Sequence, residues 1–444
     1  MARAKKETAL TPEERLQAAL VPDWEWPYKL PENWCWTTIG AINQYEGISA
    51  DPTKAKNETF ELYSVPSSAD NYPEIVLGAD IGSTKQSVKK GDVLLCKINP
   101  RINRVWNVSK YTDHSLLASS EWIVIRNSRL ISNYLMWCFR SPYFRGYMLS
   151  NVSGVGGSLM RAQPKFVQGY PVPVPPLAEQ QRIIDRIESL FVKLDEAKEK
   201  AQAVVDSFET RKAAILHKAF TGELTAKWRE EHGVLIDNWK TTRFDSVAAI
   251  RSNLVDPAEY QSFPHIAPDN IEKKTGVLLE YHTIAEDGVT SGKHRFYSGQ
   301  ILYSKIRPYL SKAVVVDFDG LCSADMYPIE AYQNARCLWY YMLSDEFLLQ
   351  ASTAGSRSVL PKINQKELSA LTVHLPTNDR EQEEIARILD ELFDKEQQTK
   401  EAAEAVLDQI NLMKKSILAR AFRGELGTND PSEESAVELL KRVL

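Results

Sequence analysis

Ile183-Ile-Asp-Arg-Ile187-Glu-Ser-Leu190-Phe191 opens a charged stretch that closes on Ala219-Phe220-Thr-Gly222-Glu223-Leu224, and the chain writes this stretch twice. A shift of 202 carries Ile183, Ile187, Leu190 and Phe191 onto Ile385, Leu389, Leu392 and Phe393. Without a gap, it carries Ile215, Leu216, Ala219, Phe220, Gly222, Glu223 and Leu224 onto Ile417, Leu418, Ala421, Phe422, Gly424, Glu425 and Leu426. The copies share an exit, A-F-x-G-E-L, and internal similarity of this kind bears on architecture before any other signal does.

Each copy alternates steps of four and three. The first seam reads Ile183, Ile187, Leu190, Leu194, Ala197, Ala201, Val204, Phe208, with Arg211 interrupting before Ile215. The second reads Ile385, Leu389, Leu392, Glu396, Thr399, Ala403, Val406, Ile410, Met413, Ile417. A period of 3.5 predicts coiled-coil helices rather than globular surface helices. About 40 residues at 1.5 Å each make a rod of roughly 60 Å, whose stripe needs a partner along its length. The other copy is the nearest candidate. Ala197, Ala201 and Ala403 allow close approach, while Glu396 and Thr399 mark a wetter patch.

The composition of the 444-residue chain is that of an ordinary globular protein with room for two or three domains. No apolar run spans a bilayer and no signal peptide is visible at Met-Ala-Arg-Ala-Lys-Lys, so a cytoplasmic location is expected. Cys35, Cys96, Cys138, Cys322 and Cys337 are odd in number and lack C-x-x-C spacing, which predicts buried free thiols without disulfides or zinc. The net charge of −5 argues against a simple basic nucleic-acid binder, so its distribution carries more meaning. Residues 31–178 hold 15 Lys+Arg against 11 Asp+Glu, residues 237–375 hold 14 against 16, and residues 376–427 hold 8 against 12. Acid is concentrated in the second helix copy, and the segments between the helices carry most of the cations.

Read in order, residues 1–30 form a short helix and an arm. Thr11, Pro12 and Glu14 supply a cap, a first-turn proline and a capping-box acid, and Trp24 and Trp26 are expected to dock. A first globe covers 31–178 and a first long helix 179–224. After a connector at 225–236, a second globe covers 237–376 and a second long helix 377–427. In the tail, 428–444, a helix is expected to start at Asp430-Pro431-Ser432-Glu433, with Val437, Leu440 and Val443 on one face. The globes are faintly related: Asn33-Trp34 matches Asn238-Trp239, and Asp51-Pro52 matches Asp256-Pro257. Gly91-Asp-Val-Leu-Leu-Cys-Lys97-Ile98-Asn99-Pro100 matches Gly299-Gln-Ile-Leu-Tyr-Ser-Lys305-Ile306-Arg307-Pro308, and Ser120-Glu121 matches Ala324-Asp325. Val93-Leu94-Leu95, Glu121-Trp-Ile-Val-Ile125 and Ala313-Val-Val-Val316 read as strands, followed by aromatic helices around Tyr134 to Phe144 and Leu338 to Phe347. The predicted fold class is α/β: two mixed globes alternating with two long helices that pair as an antiparallel coiled coil, in a pseudo-twofold internal repeat.

Motifs for catalysis are missing. There is no G-x-x-x-x-G-K-[ST], Gly154-Val-Gly156-Gly157 is a turn fragment, and Asn99-Pro100-Arg101 lacks the aromatic of an N-P-P-Y site. Pro268-Asp269 with Glu272 and Lys274 has too few residues between its acids for a metal-dependent nuclease, and the seven His are scattered. The expectation is a binder with no catalytic residues and no metal site.

Two places in each globe suit a phosphate-bearing ligand. The first is a strand end running onto a proline-stiffened turn: Lys97, Asn99, Arg101, Asn103 and Arg104, with Lys305, Arg307, Tyr309, Ser311 and Lys312 opposite them. The second is a small-residue loop and its exit: Ser158, Arg161, Gln163 and Lys165, or Ser356, Arg357, Lys362, Asn364 and Gln365. Cations fix a protein on a duplex backbone, while Asn, Arg and Ser read base edges.

Together these features resemble the specificity subunit of a type I restriction-modification system. The resemblance is carried by P-P-L-A-E-Q-Q at 175–181, by the two A-F-x-G-E-L exits, and by G-D-V-L-L-x-K-I-x-P with its partner G-Q-I-L-Y-S-K-I-R-P. The second helix entry departs from the pattern and reads L-P-T-N-D-R-E-Q. The resemblance implies that each globe is a target recognition domain for half of a bipartite double-stranded DNA site. The paired helices would act as a ruler and dock two modification methyltransferase subunits through the Ile183, Ile187, Leu190, Leu194, Val204, Phe208 and Phe220 stripe and its Ile385, Leu389, Leu392, Val406, Ile410 and Phe422 counterpart. S-adenosylmethionine would belong to those modification subunits, and ATP and Mg to restriction (translocase) subunits, with no cofactor in this chain. Two alternative readings are a specificity module of a type II-like methyltransferase or nuclease, and a coiled-coil adaptor whose globes bind proteins.

Overall fold

The computed structural model describes residues 11–154, 160–354 and 361–444. They form two compact units, Met1–Lys200 with Val406–Leu444, and Ala201–Ala405. The division falls inside both long helical stretches, so each unit holds one globe and parts of both. Call the helices α1 (Leu177–Asp206), α2 (Phe208–Phe220) and α3 (Asp379–Ala421).

In the first unit Cys35–Thr38 pairs antiparallel with Pro171–Val174 and closes the globe where it joins α1. A five-stranded sheet has the order Ser49–Ala50, Lys85–Ser87, Ser115–Ala118, Thr59–Tyr63, Glu74–Leu77, and only Thr59–Tyr63 against Ser115–Ala118 is parallel. A second sheet places Val93–Cys96 between Val105–Asn107 and Trp122–Ile125. The second unit repeats this plan. Trp239–Arg243 pairs with Thr372–Pro376, and a five-stranded sheet runs Leu254–Val255, Lys293–Phe296, Gly320–Cys322, Pro264–Ile266, His282–Thr283, again with one parallel contact. Ile301–Ser304 lies between Ala313–Val315 and Met326–Ala331, which also takes Ala248–Ile250 as an edge. Both globes are thus mixed, and one topology has been kept under largely different sequences.

Several elements depart from expectation at their ends. The aromatic helix of each globe is two helices: Ser132–Arg140 then Pro142–Ser150, and Ala335–Met342 then Asp345–Ala354. Ser141 makes the first break by accepting a hydrogen bond from the Phe144 amide at 3.3 Å, as an N-cap does. The first long helix is interrupted at Ser207, whose hydroxyl donates to the Ala203 carbonyl at 2.6 Å, a back-bond that bends helices. The tail helix begins only at Ala436, because Ser435, rather than Asp430, supplies its cap. Pro12–Ala19 carries the expected capping box and packs beside Ala436–Val443 in the same unit, with Arg15 donating to the Leu444 carbonyl at 3.3 Å. Trp26 docks, donating its indole N–H to the Val21 carbonyl at 2.9 Å, whereas Trp24 is 84% exposed. All five cysteines are buried and unpaired.

A pair of buried polar residues, Glu-Gln, seats the start of each long helix. Gln180 donates to the Pro175 carbonyl at 3.1 Å and accepts from the Ile131 amide at 3.0 Å, at the N-terminus of the globe's own helix. Gln382 does the same in the second unit, donating to the Pro376 carbonyl at 2.7 Å and accepting from the Asn334 amide at 3.3 Å. Glu179 accepts from Thr428 at 2.8 Å and pairs with Arg182 at 3.1 Å, and Arg182 in turn bonds Glu433 at 2.8 Å. Glu381 accepts from Thr225 at 2.8 Å, Arg229 at 2.7 Å, Asn238 at 3.0 Å and the Trp239 indole at 3.0 Å. In each unit, therefore, the start of one long stretch is bonded by the exit of the other. The divergent entry L-P-T-N-D-R-E-Q reaches the same seat as P-P-L-A-E-Q. The exits turn at Gly222 (φ +80°) and Gly424 (φ +74°), where a Cβ would meet Ile236 Cδ1 at 2.8 Å and Pro31 Cγ at 2.4 Å. The glycine of A-F-x-G-E-L is thus required twice.

Along the helices, Ile183, Ile187, Ile385, Leu389 and Phe422 are fully buried, Phe208, Phe220 and Ile410 nearly so, and Leu190, Leu194, Val204 and Leu392 half-buried. Val406 and Met413 are 41% and 48% exposed, and Thr399 is also exposed, which corrects the second seam. The covered stripe on α3 passes instead through Glu396, Lys400, Ala403, Leu407, Ile410, Lys414 and Leu418. A straight helix drifts ~20° per heptad against a 3.5 repeat, so the inward face slips by one residue after Glu396. Lysines close the stripe over aromatic rings: Lys414 over Phe191 at 4.9 Å in the first unit, and its repeat counterpart Lys212 over Phe393 at 5.4 Å in the second.

Burial disfavours the charged form of Glu381, but its hydrogen bonds from Arg229, Asn238, Thr225 and Trp239 outweigh it and hold the carboxyl below the ordinary carboxylate range. That stabilisation is present above the unfolded value near 4.5 and is lost as pH falls through the folded one. Glu381→Gln should cost about 3 kcal/mol at pH 7 in urea unfolding of the full chain, because it leaves Arg229 buried without its counter-charge. The gap between variant and wild type should narrow below pH ~4.5 as the native carboxyl takes up its proton.

Candidate nucleic-acid interface

The strand Val93–Cys96 is buried along its whole length, and at its end the chain must turn without losing pairing to Val105–Asn107. It does so by a 3-10 turn, Pro100–Ile102, held between two residues in the left-handed region, Asn99 (φ 45°, ψ 62°) and Asn103 (φ 52°, ψ 56°). The second globe builds the same device from other residues: Pro308–Leu310 between Arg307 (φ 48°, ψ 58°) and Ser311 (φ 45°, ψ 56°). Asparagine tolerates this conformation, but arginine and serine pay a steric cost of roughly 1–2 kcal/mol each. Arg101, Ile102, Arg307 and Tyr309 are thrust outward at the tip.

The two cation-bearing places read separately from sequence form one site in each globe. The Asn99 amide donates to the Met160 carbonyl at 2.8 Å and the Ala162 amide to the Lys97 carbonyl at 2.8 Å, with Ile98 bridged to Arg161. Correspondingly, the Arg307 amide donates to the Pro361 carbonyl at 2.7 Å, the Ile363 amide to the Lys305 carbonyl at 2.9 Å, and Ile306 is bridged to Lys362. The turn and the loop exit are thus one short sheet edge.

One carboxylate per globe lies between the cations. Glu121 is 4.0 Å from Lys97 and 3.3 Å from Arg161, and Asp325 is 4.0 Å from Lys305 and 3.1 Å from Lys362. Lys97 also donates to the Ser120 carbonyl at 2.6 Å, and Lys305 to the Ala324 carbonyl while lying over the Tyr327 ring. These lysines keep only 23% and 22% of their side-chain surface, whereas Arg161 and Lys362 keep 54% and 48%. Lys97 and Lys305 hold the site together, and Arg161 and Lys362 face outward.

The other candidates divide in the same way. Lys312 points inward, donating to the Pro268 carbonyl at 2.7 Å beside Asp269, and Arg104 is half-buried. Asn103 and Ser311 bond back to the globe's helix, at the Arg140 and Met342 carbonyls. Asn364 is spent on a capping box with Glu367. Gln163 is half-buried at the start of a short helix, Lys165 lies over the exposed Phe166 ring at 4.8 Å, and Gln365 donates to the Ile250 carbonyl at 3.3 Å. Ser158, Ser356 and Arg357 lie outside the described residues. Sequence reading missed Glu121 and Asp325 as site members; their signal was the Ser-Glu and Ala-Asp match at one place in both globes. Among the described residues no cluster of His, Cys, Asp and Glu could hold a metal, and no helix is long and apolar enough to cross a membrane.

Two sheet-rich globes carrying the same cation-edged turn, joined to long helices, define a class whose solved members share the fold. Residues 236–407 match the family model of the type I restriction modification DNA specificity domain. The HsdS subunit from Thermoanaerobacter tengcongensis superposes with a TM-score of 0.63 at 21% identity, covering 90% of this chain and 100% of that one. A chain from a structure on complex assembly and conformational transition of the type I R-M system gives 0.72, with the same identity and coverage. The EcoDI specificity subunit of Escherichia coli is 35% identical over 94% of this chain and 95% of its own length. The EcoKI subunit of Escherichia coli strain K12 is 25% identical over 72% and 73%. The chain belongs to the specificity subunits of type I restriction enzymes.

Arg307→Gly separates backbone strain from side-chain function at the tip. Since glycine adopts φ near +50° freely, thermal unfolding should show stability unchanged or raised by about 0.5–1 kcal/mol despite the lost cation.

Proposed function

We propose that each globe reads one half of a bipartite duplex DNA site, acting on DNA in the cytoplasm. The two long helical stretches pair as an antiparallel coiled coil with pseudo-twofold symmetry and act as the ruler between half-sites. They dock two modification methyltransferase subunits, with Val192, Leu412 and Met413 offering exposed apolar surface beside the stripe. S-adenosylmethionine chemistry then belongs to those partners, and ATP- and Mg-dependent translocation to restriction subunits, while this chain contributes recognition alone.

The observation that carries the reading is one backbone device presented twice with different outward side chains. Asn99, Arg101 and Arg161 line one copy, and Arg307, Tyr309 and Lys362 the other. A shared frame with unlike tips suits a protein that places two edges on a duplex but reads unlike half-sites. Arg161 and Lys362, half-exposed beside a carboxylate, suit phosphate positioning, while Arg101 and Arg307 at the tip, with the half-buried Asn99 beside it, suit base edges. The overall charge of −5 is tolerable because the positive surface needed is local and partner subunits enclose the rest.

Arg161→Ala and Lys362→Ala, measured in the assembled methyltransferase, should each weaken specific DNA binding about tenfold and lower the salt slope of log K by about 1. Lys312→Met should lower the unfolding midpoint and leave the salt slope alone. Unchanged affinity and slope for both exposed variants would remove DNA contact from this edge.

A further inference from the structure

The internal repeat makes correct helix pairing a problem of partner choice. Several features of the long helices occur in both units with equivalent residues: Ile183 and Ile385 in the buried stripe, Glu179 and Glu381 at the joints, Lys414 over Phe191 and Lys212 over Phe393. Contacts so repeated cannot distinguish a first helix pairing with the second helix of its own chain from a first helix pairing with the first helix of another copy. The same residue types would meet in either case.

Among the described residues, three contacts between the long helices are not repeated: Lys414 with Asp195 in the first unit, and Lys400 over the Phe208 ring and Arg211 with Glu396 in the second, of which only the last sets two oppositely charged side chains where the other unit has two apolar ones. In the second unit Arg211 donates from Nε to Glu396 Oε2 at 2.7 Å, with side chains 32% and 22% exposed. Arg211 also reaches back to the Val204 carbonyl at 3.2 Å and to the Ser207 hydroxyl, so its guanidinium is held in place by its own helix. The 202-residue shift carries Arg211 onto Met413 and Glu396 onto Leu194. In the first unit those two, Met413 about half exposed, line one groove with Leu190, Ile417 and the cations Arg186, Lys193 and Arg420. The equivalent layer is therefore a charge pair in one unit and a Leu/Met pair in the other.

We infer that the Arg211–Glu396 pair selects the helix partner, favouring a first helix against a second helix over first against first or second against second. Carrying the register of each unit through the repeat shows how. If two copies paired first helix with first helix, Arg211 would face the other copy's Leu194. If they paired second with second, Glu396 would face the other copy's Met413. Each charge would then meet an apolar side chain in place of its hydrogen-bonded partner, and a partly buried charge that loses its partner is unfavourable. A parallel arrangement of the two helices within one chain fails in the same way, since it sets each charge beside its own counterpart in the repeat. A polar residue at one seam position specifies register and partner in this manner at some expense of stability. The inference rests on the antiparallel pairing proposed above and is independent of which DNA the globes read.

The test uses the full chain, co-expressed as two differently tagged copies and purified through one tag. Wild-type copies should purify separately. Arg211→Met with Glu396→Leu in both copies makes the two layers alike, and capture of the second tag should rise about tenfold over the wild-type background. The reversed pair, Arg211→Glu with Glu396→Arg in both copies, should purify separately again, an outcome that a merely stabilising contact does not require. A complementary experiment does not depend on the apolar variant folding. One copy carries Arg211→Glu and the other Glu396→Arg, so each alone sets like charges face to face, while together they satisfy both layers only across copies. They should co-purify when expressed together. Wild-type levels of capture in both the apolar and the complementary experiments would overturn the inference.

Discussion

Two buried carboxylates, Glu179 and Glu381, are the constraint on which the rest of the structure depends. Each sits at the first turn of a long helix with no exposed surface, and each is satisfied by a threonine hydroxyl delivered from the exit of the other stretch, Thr428 or Thr225. A buried carboxylate is tolerated only where such partners are fixed. The glutamine that follows ties the same turn to the globe's own helix, at Ile131 or Asn334. Helix start, helix exit and globe are thereby joined at one point in each unit. This accounts for the recurrence of two motifs so far apart in the chain, E-Q and A-F-x-G-E-L: they are two sides of one joint.

From that joint the geometry of the recognition edge follows by a chain of short-range constraints. The globe's terminal strands, Cys35–Thr38 with Pro171–Val174 and Trp239–Arg243 with Thr372–Pro376, lead directly into the helix starts. The sheet behind them ends in a turn whose two left-handed residues force the tip outward. The lysine and carboxylate at its base hold the turn against the loop exit, while the tip and the exit cation stay exposed. Neighbouring cations of similar appearance thus divide into held and exposed ones.

Much of this architecture was legible in the chain, for reasons that differ by element. The stripe through Ile183, Ile187, Ile385 and Leu389 was visible because apolar periodicity records burial directly. Its course after Glu396 was not, since a helix of 3.6 residues per turn drifts from the heptad and moves the covered face from Val406 to Leu407. The cation-bearing turn was found because it recurs in both globes. What sequence could not separate was Arg161 from Lys97, or Arg307 from Lys312, because Lys97 and Lys312 are turned inward by hydrogen bonds to the main-chain carbonyls of Ser120 and Pro268, brought near only by the fold. Glu179 and Glu381 were overlooked for a related reason: a charged residue in a helix's first turn reads as solvated, and only tertiary structure reveals that it is enclosed.

The most direct test of the account is a double-mutant cycle across each joint, Glu179→Gln with Thr428→Val and Glu381→Gln with Thr225→Val, followed by denaturant unfolding of the full chain. Helix start and helix exit in direct contact predict a coupling of about 0.5 kcal/mol or more in both cycles. Strict additivity in both would mean that the two stretches do not meet at their ends, and the twofold plan proposed for them would fall.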